Sequence, residues 1–189
     1  MEKNMFKFKC GLYVGRFQPL HIGHMGIIDR MLSECAKVII AVGSAQEYGT
    51  ERNPLTFEFR KTLIYDAYYK CTDRMIVLPI NDRQTYSDDP TWGDYLLDKV
   101  YEQCGLRPDV IYEGEEGVRA NWYDNYNIPV IKVPRNIYQI SGTDVRQAIL
   151  DNREFSARVH IPYQIYDYYD EIRKEIQNAA VNSKRNPVD

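Results

Sequence analysis

The sequence predicts an α/β fold: a doubly wound parallel sheet of about five strands, closed by a C-terminal helix. Three observations predict it. Short β-branched runs alternate with amphipathic segments along the chain, and the connections between them are brief. One run, residues 37–42, is also continuous and β-branched rather than apolar at every second position, as in a strand covered on both faces. At 189 residues the chain fits one domain, residues 1–180, with 181–189 read as a disordered tail.

Each element has its own signal. Residues 8–14 (FKCGLYV) read as a first strand running into a Gly-containing turn. Residues 21–36 read as a helix, with Ile27, Ile28, Met31 and Leu32 at helical spacing. Residues 37–42 (KVIIAV) form a second strand, and 44–55, rich in Gly, Asn and Pro, a loop. Thr56 is the N-cap of a helix reaching about residue 70, with Glu58 in its first turn. A third strand covers 75–80 (MIVLPI), and a polar loop, 81–91, leads into a helix over 92–103 that Gly105 stops. Two short strands follow at 109–112 (DVIY) and 129–133 (PVIKV), then helices at 143–150 and 162–180. The last is rich in Tyr (Tyr163, Tyr166, Tyr168, Tyr169) and packs on the domain or on a neighbouring subunit.

Composition narrows the function. With 44% hydrophobic and 27% charged residues, the chain is neither disordered, collagen-like nor a disulfide miniprotein. A net charge of −3 gives no general attraction to nucleic acid or an anionic membrane, so neither is an expected partner. Phosphates, if bound, must meet a local site. The N-terminal MEKNMFKFKC lacks the apolar core of a signal peptide, and no apolar run approaches the ~18 residues of a membrane span, so the expected location is cytoplasmic. Cys10, Cys35, Cys71 and Cys104 are scattered without metal spacing and read as free thiols.

In such sheets ligands bind beyond the carboxyl ends of the strands. After the first strand stands Gly15-Arg16-Phe17-Gln18-Pro19-Leu20-His21-Ile22-Gly23-His24, which holds two of the three His in the chain. Gly23 lets backbone approach a ligand, and the two imidazoles flank a helix start whose N–H groups and dipole favour an anion. Arg16 adds a guanidinium. Later, Ser141 and Thr143 sit at another helix start with Arg146 about one turn on, a second anion site. No Ser/His/Asp set and no Cys beside a His argues for a covalent nucleophile. Donors at two helix starts suit a reaction in which negative charge builds on phosphate.

The first motif resembles that of the nucleotidyltransferase superfamily, and its longer form resembles the archaeal-type nicotinamide-nucleotide adenylyltransferases. Gly43-Ser44-Ala45-Gln46, Arg52-Asn53-Pro54-Leu55-Thr56, Trp92 and Ile140-Ser141-Gly142-Thr143-Asp144-Val145-Arg146 are similar to the same branch. The resemblance implies a Rossmann-like nucleotidyltransferase domain that joins ATP and nicotinamide mononucleotide into NAD⁺ and pyrophosphate by direct in-line attack. It implies Arg16, His21, His24 and Arg146 as catalytic residues, with His24 nearest the transferring phosphate. Gly15, Phe17, Gly23, Ser141, Gly142 and Thr143 complete the ATP site. Arg52, Asp82, Asp89 and Trp92 are assigned to the mononucleotide. No protein metal site is implied; Mg²⁺ arrives with ATP. The subunits are expected to form a homo-oligomer.

The mononucleotide residues keep alternatives. Trp92 either stacks on a flat ring or packs in the core, and Arg52 either meets phosphate or is an exposed loop residue. Asp82 either contacts ribose or metal, or caps a turn. The chain departs from the branch in the 83–91 loop, where Asp89 replaces an Asn and the register admits Asp88 instead. Residues 113–127 match poorly, and Trp122 receives no role. Competing readings are a pantetheine-phosphate adenylyltransferase, a CTP-using polyol-phosphate cytidylyltransferase and a non-enzymatic nucleotide sensor. The Arg16-Phe17-Gln18-Pro19 form speaks against the first two, and the intact His and Arg set against the third.

Overall fold

The computed structural model describes residues 5–83, 89, 91–114, 122–134 and 140–185. Among these, five strands form one parallel sheet in the order β3-β2-β1-β4-β5: β1 (Phe8–Gly15), β2 (Cys35–Val42), β3 (Met75–Pro79), β4 (Val110–Gly114) and β5 (Val130–Val133). The chain winds outward from β1 to β3, then returns to the other side of β1, so the switch point lies between β1 and β4. One face carries α1 (Ile22–Glu34), α2 (Phe57–Ala67), α4 (Gly142–Leu150), α5 (Glu154–Arg158) and α6 (Tyr169–Arg185). The other carries α3 (Trp92–Cys104) and the turn at 122–126. Central β2 is apolar on both sides; Val38, Ile39, Ile40, Ala41 and Val42 are all fully buried.

Several boundaries follow the expected chemistry. The Thr56 hydroxyl accepts from Phe59 N–H, and Gly105 closes α3 at φ 69 with its N–H on the Tyr101 carbonyl. The first helix ends two residues earlier than its pattern suggests. Cys35 pairs with Phe8 in the sheet, and Arg74 takes the carbonyls of Leu32, Cys35 and Ala36, closing α1 from outside. The last helix, read as one piece over 162–180, is two elements. A 3₁₀ stretch at Tyr163–Tyr168 is broken at Ile165, and α6 then continues to Arg185, so 181–185 are helical rather than a loose tail. The short α5 had no periodic signal of its own. Tyr169 is buried in the core and Tyr168 donates to Asp66 in the last turn of α2, while Tyr163 stays exposed.

Candidate active site

The residues after β1 turn at Phe17 (φ 53) and enter α1 through a reciprocal cap. His21 Nδ1 accepts from Gly23 N–H at 3.1 Å, and His24 Nδ1 accepts from His21 N–H at 3.3 Å. An imidazole whose Nδ1 accepts must carry its proton on Nε2, so the cap fixes both rings as Nε2–H donors. The ring centroids lie 3.8 Å apart. Gly23 has no substitute here, because a Cβ would come within 2.9 Å of the His21 ring. Phe17, expected in the ATP site, has its ring buried at 1% exposure, edge-on to Tyr13 and 4.5 Å from His24. Its side chain supports His24; any ligand contact at this position falls to its backbone.

The second helix start meets the first. Ser141 caps α4 in a box with Asp144, whose carboxyl is held below its ordinary range by hydrogen bonds from the Ser141 hydroxyl and N–H. Arg146 Nη1 donates to the Gln18 carbonyl at 2.7 Å, and Nη2 to Thr143 Oγ1 at 3.1 Å. Gly142 allows the approach, since a Cβ would lie 2.9 Å from the Gln18 oxygen. Gln18 is itself buried, and its amide both donates to the Leu55 carbonyl and accepts from Leu55 N–H, pinning the 44–55 loop. Gly15, at the strand end, accepts from Gly43 N–H.

Arg16, Arg52 and Arg146 share this place. Burial lowers the pKa of Arg16 and of Arg146, and each is lowered further by the Arg52 charge. Arg16 Nη1 is buried without a hydrogen-bond acceptor among the described residues. Positive groups that repel one another in a partly desolvated place are arranged for an anion. Arg52 therefore lies near Arg16 and Arg146. It lines, with Glu51, Thr143, Arg146, Gln147, Leu150, Ile176 and Ala180, a cavity of about 280 Å³.

The remaining assigned residues do structural work at the rim. Asp82 takes the Ser44 N–H and hydroxyl at 3.3 and 2.6 Å and so caps the turn at Ser44 (φ 48), the cap alternative among its readings. Asp89 Oδ1 accepts from Thr91 N–H and Oγ1 at 2.8 and 2.7 Å, which commits that oxygen to the start of α3; Asp88 lies outside the described residues. Trp92, half-buried, opens α3 beyond the end of β3. Its indole stacks on Trp122 with centroids 4.1 Å apart and planes at 28°. A Cβ on Gly93 would fall 1.7 Å from the Trp122 carbonyl oxygen, and Tyr126 donates to Asp94. The turn at 122–126 is thus docked on three successive residues of α3.

Three residues that sequence reasoning left without a role contact the assigned ones: Gln18, Trp122 and Arg60. Gln18 stood inside the motif. Trp122 gave no local signal, because its partner is 30 residues away. Arg60 did leave one, a charge at helical spacing from Leu63 and Ile64, on the face α2 buries. Among the described residues no three His, Cys, Asp or Glu are grouped as metal ligands. No helix among them is long and apolar enough to cross a membrane.

Residues 12–148 match the family described as Cytidylyltransferase-like. A nicotinamide-nucleotide adenylyltransferase of Methanococcus aeolicus is 30% identical over 176 residues, spanning 92% of this chain and 95% of the relative. One from Methanosarcina acetivorans is 40% identical over 151 residues, 79% of this chain and 82% of the relative. A solved bifunctional NMN adenylyltransferase/ADP ribose pyrophosphatase from Francisella tularensis shares the fold, with a TM-score of 0.71 at 22% identity over 94% of this chain. The chain spans only 56% of that protein. A structure of the Francisella tularensis protein complexed with AMP and Mn ion matches with a TM-score of 0.68 at 22% identity, over 96% of this chain and 57% of that one.

Proposed function

We propose, from the premise that the chain belongs to the Cytidylyltransferase-like family and within it to the nicotinamide-nucleotide adenylyltransferases, that it joins ATP and nicotinamide mononucleotide to form NAD⁺ and pyrophosphate. One observation carries the reading at the level of the site: the Arg146–Gln18 bond that brings both helix N-termini and three guanidiniums to one place. A phosphate oxygen of the mononucleotide attacks the α-phosphorus of ATP in line, the bond from that phosphorus to the bridging oxygen breaks, and pyrophosphate leaves with the electron pair. No proton need move at the reacting centre, so positioning and charge stabilisation supply the catalysis.

His21 and His24 present Nε2–H to the transferring phosphate, and Arg16 bridges it. Arg146, Thr143 and the N–H groups of α4 hold the departing phosphates. Arg52, at the same cluster, takes the acceptor's phosphate. Trp92, steadied by Trp122, offers an aromatic surface for the pyridine ring. Guanidiniums and imidazoles repel a bare cation, so Mg²⁺ fits this site as part of the ATP complex, held by phosphate oxygens. When bound, it neutralises charge on the triphosphate.

The experiment is pyrophosphate release from ATP or CTP with a panel of acceptors: nicotinamide and nicotinate mononucleotides, phosphopantetheine and glycerol phosphate. Release with ATP and nicotinamide mononucleotide is expected. A preference for CTP, or for an acceptor without a pyridine ring, would overturn the reading. A several-fold preference for the amide over nicotinate is expected if a carboxylate of the 83–91 loop faces that group. Equal use removes Asp89 from the mononucleotide site.

A further inference from the structure

Arg60 lies outside every motif of the site, on α2, with 0% exposure. A fully buried cation is ordinarily matched by a carboxylate. Arg60 instead spends its donors on backbone carbonyls: Nε on Thr56 at 3.2 Å, Nη1 on Arg16 at 2.9 Å and Gly43 at 2.8 Å, and Nη2 on Ser44 at 3.0 Å. These oxygens come from the end of β1, the end of β2 and the N-cap of α2. A Leu or Met would fill the same volume but would leave those carbonyls without donors. The charges nearest Arg60 are Asp82, which holds Ser44 from the other side, and Arg16. Burial and Arg16 bring its pKa down to about 10, so it stays protonated at neutral pH.

We infer that Arg60 is a positioning residue for phosphate chemistry, fixing the backbone from which Arg16 projects and placing a permanent positive charge beneath the triphosphate. The inference rests on the adenylyl-transfer reading above. Arg16 Nη1 is buried without an acceptor among the described residues, and the Arg16 carbonyl is already taken by Arg60, so the guanidinium is left to an outside anion.

The test uses Arg60→Met and Arg60→Lys in the full chain. Three quantities are read: kcat, the KM for each substrate, and the affinity for inorganic tripolyphosphate by calorimetry. The Met variant should lose about 10-fold or more in kcat and about 10-fold in tripolyphosphate affinity, with KM for the mononucleotide within about twofold of wild type. Arg60→Lys keeps the charge but cannot span three strand-end carbonyls. It should recover most of the tripolyphosphate affinity and little of kcat. Unchanged tripolyphosphate affinity and kcat in the Met variant would overturn the inference. Should the Met variant fail to fold, wild-type kcat in the Lys variant overturns it instead. A wild type that binds tripolyphosphate but transfers nothing sinks the adenylyl-transfer reading, and the affinity comparison still decides the role of Arg60.

Discussion

His21 and His24 each cap the helix with the ring that the proposed reaction also uses. Nδ1 caps the helix and, by accepting, obliges Nε2 to donate outward, so structural and chemical roles cannot be removed together without confusion. His24→Ala should lower kcat by roughly 10²-fold and also cost about 0.5–2 kcal/mol of stability for the lost cap. His24→Asn separates the two. Its amide oxygen can take the place of Nδ1 on the His21 N–H, while nothing replaces Nε2–H. Thermal melts should therefore place the Asn variant near wild type, with kcat as low as in Ala; an Asn variant of near-normal kcat would remove His24 from the reaction. Arg146→Ala should cost a similar factor in kcat, because the guanidinium that holds the Gln18 carbonyl is also the one proposed to hold the departing phosphates.

At the scale of elements, α3 is the most informative. Its start is gripped by the 122–126 turn through a stacked ring, a carbonyl that leaves no room for a side chain, and the Tyr126–Asp94 bond. Gly93→Ala must push backbone away, since the obstructing atom is the Trp122 carbonyl oxygen rather than a flexible tip. It should cost about 1–3 kcal/mol and raise KM for the mononucleotide more than KM for ATP. Trp92→Ala should raise the same KM by roughly 5- to 150-fold, the worth of one stacked ring. Equal effects on both substrates in either variant would make this contact purely structural. The example also shows where sequence reading stops. Thr56, Gly105 and Ser141 were legible because caps depend on a few neighbouring residues. The sheet was legible because short β-branched runs alternate with helical segments, and the central strand is continuously apolar from Val38 to Val42. Trp122 and Arg60 act on partners distant in sequence, and the turn-capping bonds of Asp82 and Asp89 depend on backbone geometry that a string of letters does not carry.

Across the whole molecule, one polar cluster ties β4 to the end of α1 and the start of β2. Tyr112 on β4 donates to Glu34 at the end of α1 at 2.6 Å and lies 3.5 Å from the Cys35 thiol on β2. Burial disfavours the Glu34 charge, but hydrogen bonds from Tyr112 and Arg30 outweigh it and hold the carboxyl below its ordinary value. A lowered carboxyl pKa stabilises above the unfolded value of 4.5, and that contribution fades as pH falls through the folded pKa. Tyr112→Phe should thus be less stable than wild type by about 1.5–3 kcal/mol at pH 7, with the gap in melting temperature shrinking in acid below pH 4.5. A gap that stays constant with pH would mean that packing, not the carboxylate, sets the cost. At the other end, the Arg146–Gln18 bond joins residues 128 apart in sequence. The growing chain cannot form this contact until Arg146 has been made and that long loop has closed. On the proposed function, ATP occupying the junction would stabilise the entire fold at once, by about 2.7 kcal/mol at a hundred times its Kd. Supply of the nucleotide and survival of the protein against unfolding and proteolysis would then be linked through one contact.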